Sequence, residues 1–118
     1  MLTIDINAYE GLCLHFQDGG FQKLKELYIG NSDELRDIII DKGALPSLKK
    51  LQLHEIRQLK NIPTEIQHLE KLEVLYIRDV QVDFLQRIST EDWNWIMENV
   101  PLVEFTTADG EVIPNSRS

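Results

Sequence analysis

Three histidines and one cysteine are the side chains of this sequence best suited to metal ligation, proton transfer or nucleophilic attack. His15, His54 and His68 stand at unrelated spacings, with neither an i,i+4 histidine pair nor an H-E-x-x-H element, so no zinc site is expected from them. Cys13 lies between Leu12 and Leu14, where nothing close in sequence would lower its pKa. The acidic pairs Asp33-Glu34 and Glu91-Asp92 suit solvated loops or a helix start better than paired acid/base work. Gly19-Gly20 reads as a turn, and neither G-x-G-x-x-G nor G-x-x-x-x-G-K-[ST] occurs to cradle a phosphate. The expectation is therefore no enzyme, no metal and no cofactor, and attention moves to what the rest of the chain is built to display.

The chain has 118 residues, enough for one small domain, and 42% of them are apolar, the usage of a packed globular core. Twenty acidic and 12 basic residues give a net charge of −8, a balance that argues against phosphate neutralisation and hence against nucleic acid as a partner. A lone cysteine allows no internal disulfide, no N-x-[ST] sequon occurs, and "MLTIDINAYEG" has neither a basic nor an apolar leader region. No apolar run approaches the length of a membrane span. A reducing, cytoplasmic setting is expected, without membrane association.

The organising signal is a repeat. "LPSLKKLQL" and "LEKLEVLYI" place Leu45, Leu48, Leu51 and Leu53 against Leu69, Leu72, Leu75 and Ile77, each 24 residues downstream. The same template fits Phe21, Leu24, Leu27 and Ile29, another 24 residues upstream. Partial copies occur at Leu2 and Ile4, aligned with Leu27 and Ile29, and at Val100, Val103 and Phe105 after a longer gap of 28. A period of 24 with L-x-x-L-x-L falls in the leucine-rich-repeat class. Alternation in L-x-L puts both apolar residues on one face of a short strand. One strand cannot bury that face alone, so successive coils stack and their leucines form an internal ladder. Leu35, Ile38 and Ile40 in one coil, and Leu59, Ile62 and Ile66 in the next, are expected to point inward from the returning side, with Pro63 opposing a long helix there. The competing reading is an amphipathic helix of 3.6-residue period. Pro46, Pro63 and the β-branched residues of the template favour strands.

The expected fold is an α/β repeat, a leucine-rich-repeat solenoid with a short parallel sheet on its concave face and an irregular or helical convex side. About five repeats occupy residues 1–107, and a turn or hairpin with a disordered tail occupies 108–118. A helix is predicted over about Thr90–Asn99 in the long last gap, with Thr90 as N-cap, Glu91 and Asp92 in its first turn, and Trp93, Ile96 and Val100 on its buried stripe. "TTADGEVI" is predicted to turn back through Asp109-Gly110 and pair with the last strand, followed by a disordered "PNSRS". Met1 would begin inside a strand and leave the first coil uncapped, as in a cut-out piece or a truncated gene product.

With the ladder turned inward, the residues between its rungs face out. The predicted central column is Thr3, Tyr28, Gln52, Tyr76 and Glu104. Glu26, Lys50, Val74 and Leu102 flank it on one side, and Asp5, Gly30, His54, Arg78 and Thr106 on the other. Tyr28 and Tyr76, with Gln52, Glu104, His54, Arg78 and Lys50 around them, make a mixed aromatic and polar patch of the kind that protein interfaces favour. Tyrosine is also an ordinary residue of half-exposed strands. Five strands by three columns cover roughly 300 Å², against the roughly 800 Å² per partner of a standard interface. A partner bound through this face alone would be held weakly.

At "LKNIPTEIQHLEKLEVLYI" the sequence resembles the C-terminal leucine-rich repeats of plant intracellular nucleotide-binding, leucine-rich-repeat disease-resistance proteins of the coiled-coil type. The element L-x-x-[IL]-P-x-x-I-x-x-L, here Leu59, Ile62, Pro63, Ile66 and Leu69, carries that resemblance, with support from "LHFQDGGFQKLKELYIG" and "GALPSLKKLQL". The resemblance implies a protein-recognition and autoinhibitory module, facing a pathogen effector, a guarded host protein or the receptor's own nucleotide-binding domain. ATP or ADP would belong to that domain, of which this chain has no part. The alternatives are the substrate-recruiting repeats of an F-box ubiquitin-ligase adaptor, which tend to be longer and to lack I-P-x-x-I, and a stand-alone scaffold or gene remnant.

Overall fold

In a computed structural model describing residues 2–63, 66–107 and 112–114, the chain forms an α/β domain around one sheet. Its strands are β1 (Leu2–Asn7), β3 (Leu24–Gly30), β5 (Lys50–His54), β6 (Val74–Val80), β7 (Leu102–Thr107) and β8 (Val112–Pro114), in spatial order β1-β3-β5-β6-β7-β8. The first five are parallel, each beside its predecessor in the sheet, and β8 closes the far edge antiparallel to β7 through Phe105 opposite Ile113. The turn expected at Asp109-Gly110 and the tail beyond Pro114 lie outside the described residues. This arrangement is compatible with the expected α/β repeat.

Register follows the spacing of the apolar residues. Leu27, Leu51 and Leu75 stand side by side, as do Ile29, Leu53 and Ile77, and all six are at most 1% exposed. Val103 and Phe105 extend both rows into β7 across the 28-residue gap. β3, β5 and β6 are entered through the same tight turn: Leu24 N donates to Phe21 O, Leu48 N to Leu45 O and Leu72 N to Leu69 O, at 3.1–3.3 Å. Leu35, Ile38, Ile40, Leu59, Ile62 and Ile66 cover the back of these rows, so the core is one continuous apolar body.

The returning side holds more regular structure than expected. β2 (Cys13–Phe16) and β4 (Asp37–Ile40) form a second, two-stranded parallel sheet, favoured by the β-branched run Ile38-Ile39-Ile40. Backbone bonds from Arg36 N to Leu12 O (2.8 Å) and from Lys60 N to Arg36 O (3.3 Å) carry the 24-residue repeat onto this side too. The connection from β5 to β6 runs through a 3₁₀ turn at Ile66–His68, and that from β6 to β7 through α1 (Val82–Gln86) and α2 (Thr90–Asn99).

Three expectations are corrected. β1 pairs Ile4 with Leu27 and Ile6 with Ile29, two residues away from the predicted alignment of Leu2 with Leu27, so Asp5 rather than Thr3 stands beside Tyr28. A two-residue slip keeps the same side chains inward, so alternation alone does not choose between the registers. Phe21, aligned with the buried Leu45 and Leu69, is 50% exposed and meets Phe16 edge-on at 6.0 Å between centroids. The N-cap of α2 is Ser89 and not Thr90, its hydroxyl accepting from Asp92 N at 3.1 Å. Ile96 of α2 and Val100 at its C-cap are buried, while Trp93 stacks on Phe105 at 5.3 Å.

One ion pair ties the second sheet to the following turn and gives a pH-dependent prediction. His15 Nε2 lies 2.7 Å from Asp41 Oδ1, and this hydrogen bond is the main reason that the Asp41 carboxyl sits below its usual value of 3.8. A depressed carboxylate contributes stability above its unfolded pKa and loses it as pH falls through the folded one. The melting-temperature gap between wild type and Asp41→Asn should be widest near neutral pH and should narrow below about pH 4. Thermal denaturation across that window checks it, and a gap that does not change with pH would contradict the assignment.

Candidate functional site

Outward-facing residues of β3, β5, β6 and β7 form the open face of the main sheet, opposite the apolar rows. Register places Tyr28, Gln52, Tyr76 and Glu104 in one column, with Asp5 ahead of them, and Gly30, His54 and Arg78 in the next. Lys50 lies on the other flank between Glu26 and Val74. The sequence-predicted residues are therefore neighbours, and two tight clusters form among them.

The first cluster is a polar row. Tyr28 Oη is 3.1 Å from His54 Nδ1, and His54 Nε2 is 2.6 Å from Asp79 Oδ2. Because a carboxylate only accepts, the Nε2–H donates to Asp79, and Nδ1 is left to pair with the Tyr28 hydroxyl. Each side chain fixes its neighbour's rotamer, so the Tyr28 phenol is held in place before any partner arrives. Gly30 suits this packing, since a Cβ there would come within 2.3 Å of the Tyr28 hydroxyl.

Sequence reasoning did not include Asp79 in the site. Strict alternation along "VLYIRDV" would give Asp79 the parity of the buried Leu75 and Ile77. The register shift between Ile77 and Val80 marks a bulge, and Asp79 sits in it at φ 57°. Ala8, Asn31 and Glu55 adopt the same left-handed conformation where the earlier strands end, at φ 52–58°. The amides of these three donate to Gly30, His54 and Arg78 oxygens at 2.9–3.0 Å, extending each ladder one step past the strand. The available sequence signal was the polar character of Asn31 and Asp79 at that position, since Asn and Asp tolerate this region best among non-glycine residues.

The second cluster centres on Tyr76. The Arg78 guanidinium lies 4.5 Å from the ring centroid and the Lys50 ammonium 5.4 Å from it, each contact contributing about 0.5–1 kcal/mol at an exposed site. Arg78 also bonds Glu104 Oε1 at 3.1 Å. Tyr28, Gln52, Leu53, His54, Tyr76 and Arg78 enclose a shallow depression of about 160 Å³ between the clusters. Two aromatic rings on a rigid sheet, ringed by donors and acceptors, can anchor a partner side chain at little entropic cost.

Among the described residues, no group of three or more His, Cys, Asp or Glu converges as a metal site would require, and no helix is long and apolar enough to cross a membrane. No protein-family model matches the chain, and no solved structure does. Its sequence is similar to disease resistance proteins of Arabidopsis thaliana. Disease resistance RPP8-like protein 3 is 27% identical over 104 residues, which cover 88% of this chain and 11% of that protein. Disease resistance protein RPM1 is 36% identical over 85 residues, 72% of this chain and 9% of the relative. Disease resistance protein RPH8A is 27% identical over 104 residues, 86% of this chain and 11% of the relative. The chain spans about a tenth of the length of these relatives. The resemblance to plant disease-resistance proteins implied by the L-x-x-I-P-x-x-I-x-x-L element is thus present along most of the chain.

Proposed function

We propose that this chain is a leucine-rich-repeat recognition segment of a plant disease-resistance receptor, and that the open face of its sheet contacts a protein. The observation that carries this reading is the pairing of anchored tyrosines in one column, Tyr28 held by His54 and Asp79, and Tyr76 held between Lys50 and Arg78. The similarity to disease resistance proteins supports this reading, in which the segment belongs to a cytoplasmic sensor and its partner is a pathogen effector, a guarded host protein or the receptor's own nucleotide-binding domain. On this reading the segment binds and does not catalyse. ATP or ADP would bind elsewhere in the receptor.

Site-directed photocrosslinking tests the proposal. A benzoyl-phenylalanine at Gln52, in the middle of the open face, should capture a discrete protein from plant leaf extract. The same group at Lys60, exposed on the returning side, should not. Equal capture at both positions, or none at Gln52, would remove the open face as the recognition surface.

A further inference from the structure

Lysines gather where the strands of the main sheet begin, interleaved with glutamates. Lys25, Lys49 and Glu73 precede the strand pairings and stack in register, Lys49 N donating to Lys25 O and Glu73 N to Lys49 O at 2.8 Å each. Successive residues of such a stack stand about 4.8 Å apart. Lys50 follows in the adjoining column, and Lys71 lies just before the stack. Two adjoining depressions of about 390 and 440 Å³ share Lys25, Lys49 and Glu73 in their walls, so this rim is one continuous hollow surface. The opposite rim, where the strands end, presents Glu55 and Asp79 around a separate depression, with Arg57 paired to Glu55 at 3.6 Å.

In a chain of net charge −8, four lysines gathered on one rim run against the overall balance. Among the described residues, Lys25, Lys49 and Lys71 make no ion pair, and Lys50 lies over the Tyr76 ring. Glu26, Glu70 and Glu73 border the same hollows without closing on a lysine. Beside the lysines, Val74 pairs with Leu102, and Leu102 is 48% exposed although it lies in a strand. The flank therefore grades from unpaired cations to bare aliphatic surface within three strands.

We propose that this rim docks an acidic peptide segment of the partner protein, carboxylates over Lys25, Lys49, Lys50 and Lys71 and an apolar side chain over Val74 and Leu102. The inference deepens the recognition reading above and rests on it. Charge complementarity selects this occupant: a short acidic segment can set its carboxylates on the four lysines that stand between Glu26, Glu70 and Glu73, whereas a long polyanion would run on over the acidic remainder of the surface.

A fluorescein-labelled peptide of alternating Glu and Leu, titrated into the whole chain by anisotropy, provides the test. It should bind, weaken several-fold between about 50 and 300 mM salt, and outcompete a Lys/Leu counterpart. The double reversal Lys25→Glu, Lys49→Glu leaves the Lys50–Tyr76 contact intact and should reduce affinity at least tenfold. Leu102→Ala should weaken binding at any salt concentration. Circular dichroism of each variant controls for folding. Equal binding of the Lys/Leu peptide, an affinity indifferent to the charge reversal, or equally tight binding of phosphatidylserine vesicles or a single-stranded oligonucleotide would each overturn the proposal. Full crosslinking from Gln52 in the double reversal would refute the lysine rim and leave the open-face reading standing. Peptide binding that survives without any crosslink from Gln52 would do the opposite.

Discussion

Replacing Leu75 by aspartate should abolish cooperative folding. Leu75 is fully buried in the row Leu27, Leu51, Leu75, Val103, with apolar neighbours on the strands either side. An ionised carboxylate there has neither a cation nor a hydrogen-bond donor of matching geometry, and a protonated one still buries two polar oxygens. Either form costs more than about 4 kcal/mol, against a total of roughly 5–15 kcal/mol for a domain of this size. The damage spreads, because Leu75 lies between Leu51 and Val103 on the neighbouring strands, and each of these buried side chains covers the next. Leu75→Ala separates this cause from mere loss of volume. It should cost about 2–5 kcal/mol and lower the melting temperature while leaving a cooperative transition. A wild-type-like melt for Leu75→Asp would mean that the side chain does not face inward and that the register is wrong.

The same burial explains why so much of the sheet was legible. In β3, β5 and β6 the apolar positions leave one face and one offset that bury everything, and the 24-residue echo selects both. Where burial is incomplete the sequence loses authority. In β1, Ile4 and Ile6 are only half-buried, and "LTIDIN" alternates equally well in either register. The α1 segment "VDFLQ" is too short for a helical period to show, and its N-cap Gln81 makes no side-chain capping bond. It is held by Phe84, which is 2% exposed. At α2, Ser89 and Thr90 are adjacent residues able to cap, and the choice between them depends on the strand-like ψ of 153° that Ser89 adopts.

The site divides along the same line. Column neighbours such as Gln52 and Tyr76 follow from register and were readable. The row from Tyr28 through His54 to Asp79 crosses columns and depends on a bulge that inserts one residue into β6. A bulge changes which face a side chain takes without changing composition, so an alternating pattern conceals it. The lysine rim depended on a different kind of information. Lys25, Lys49 and Lys50 are plain in the sequence, but their common hollow emerges only when the turns that precede the strands are stacked.

Replacing Tyr28 and Tyr76 together by alanine should separate recognition from folding. Both rings lie on the open face and are only partly buried, so their removal opens no cavity in the core. The losses to the fold are the Tyr28–His54 hydrogen bond and two cation–π contacts, about 2–3 kcal/mol in all, which a cooperative melt at reduced temperature would report. Binding should suffer far more. An aromatic anchor at the centre of an interface contributes about 2 kcal/mol or more, roughly a 30-fold change in affinity, and this face is small enough that few other contacts would compensate. Capture by a crosslinker at Gln52 should therefore fall at least tenfold in the double variant. Tyr76→Phe refines the attribution, because a phenyl ring still receives Lys50 and Arg78 while losing the hydroxyl. Near-normal capture with phenylalanine would assign the effect to the ring and its two cations. Undiminished capture in the double alanine variant, with the fold intact, would show that the tyrosines are ordinary strand residues and that the partner is held elsewhere on the sheet.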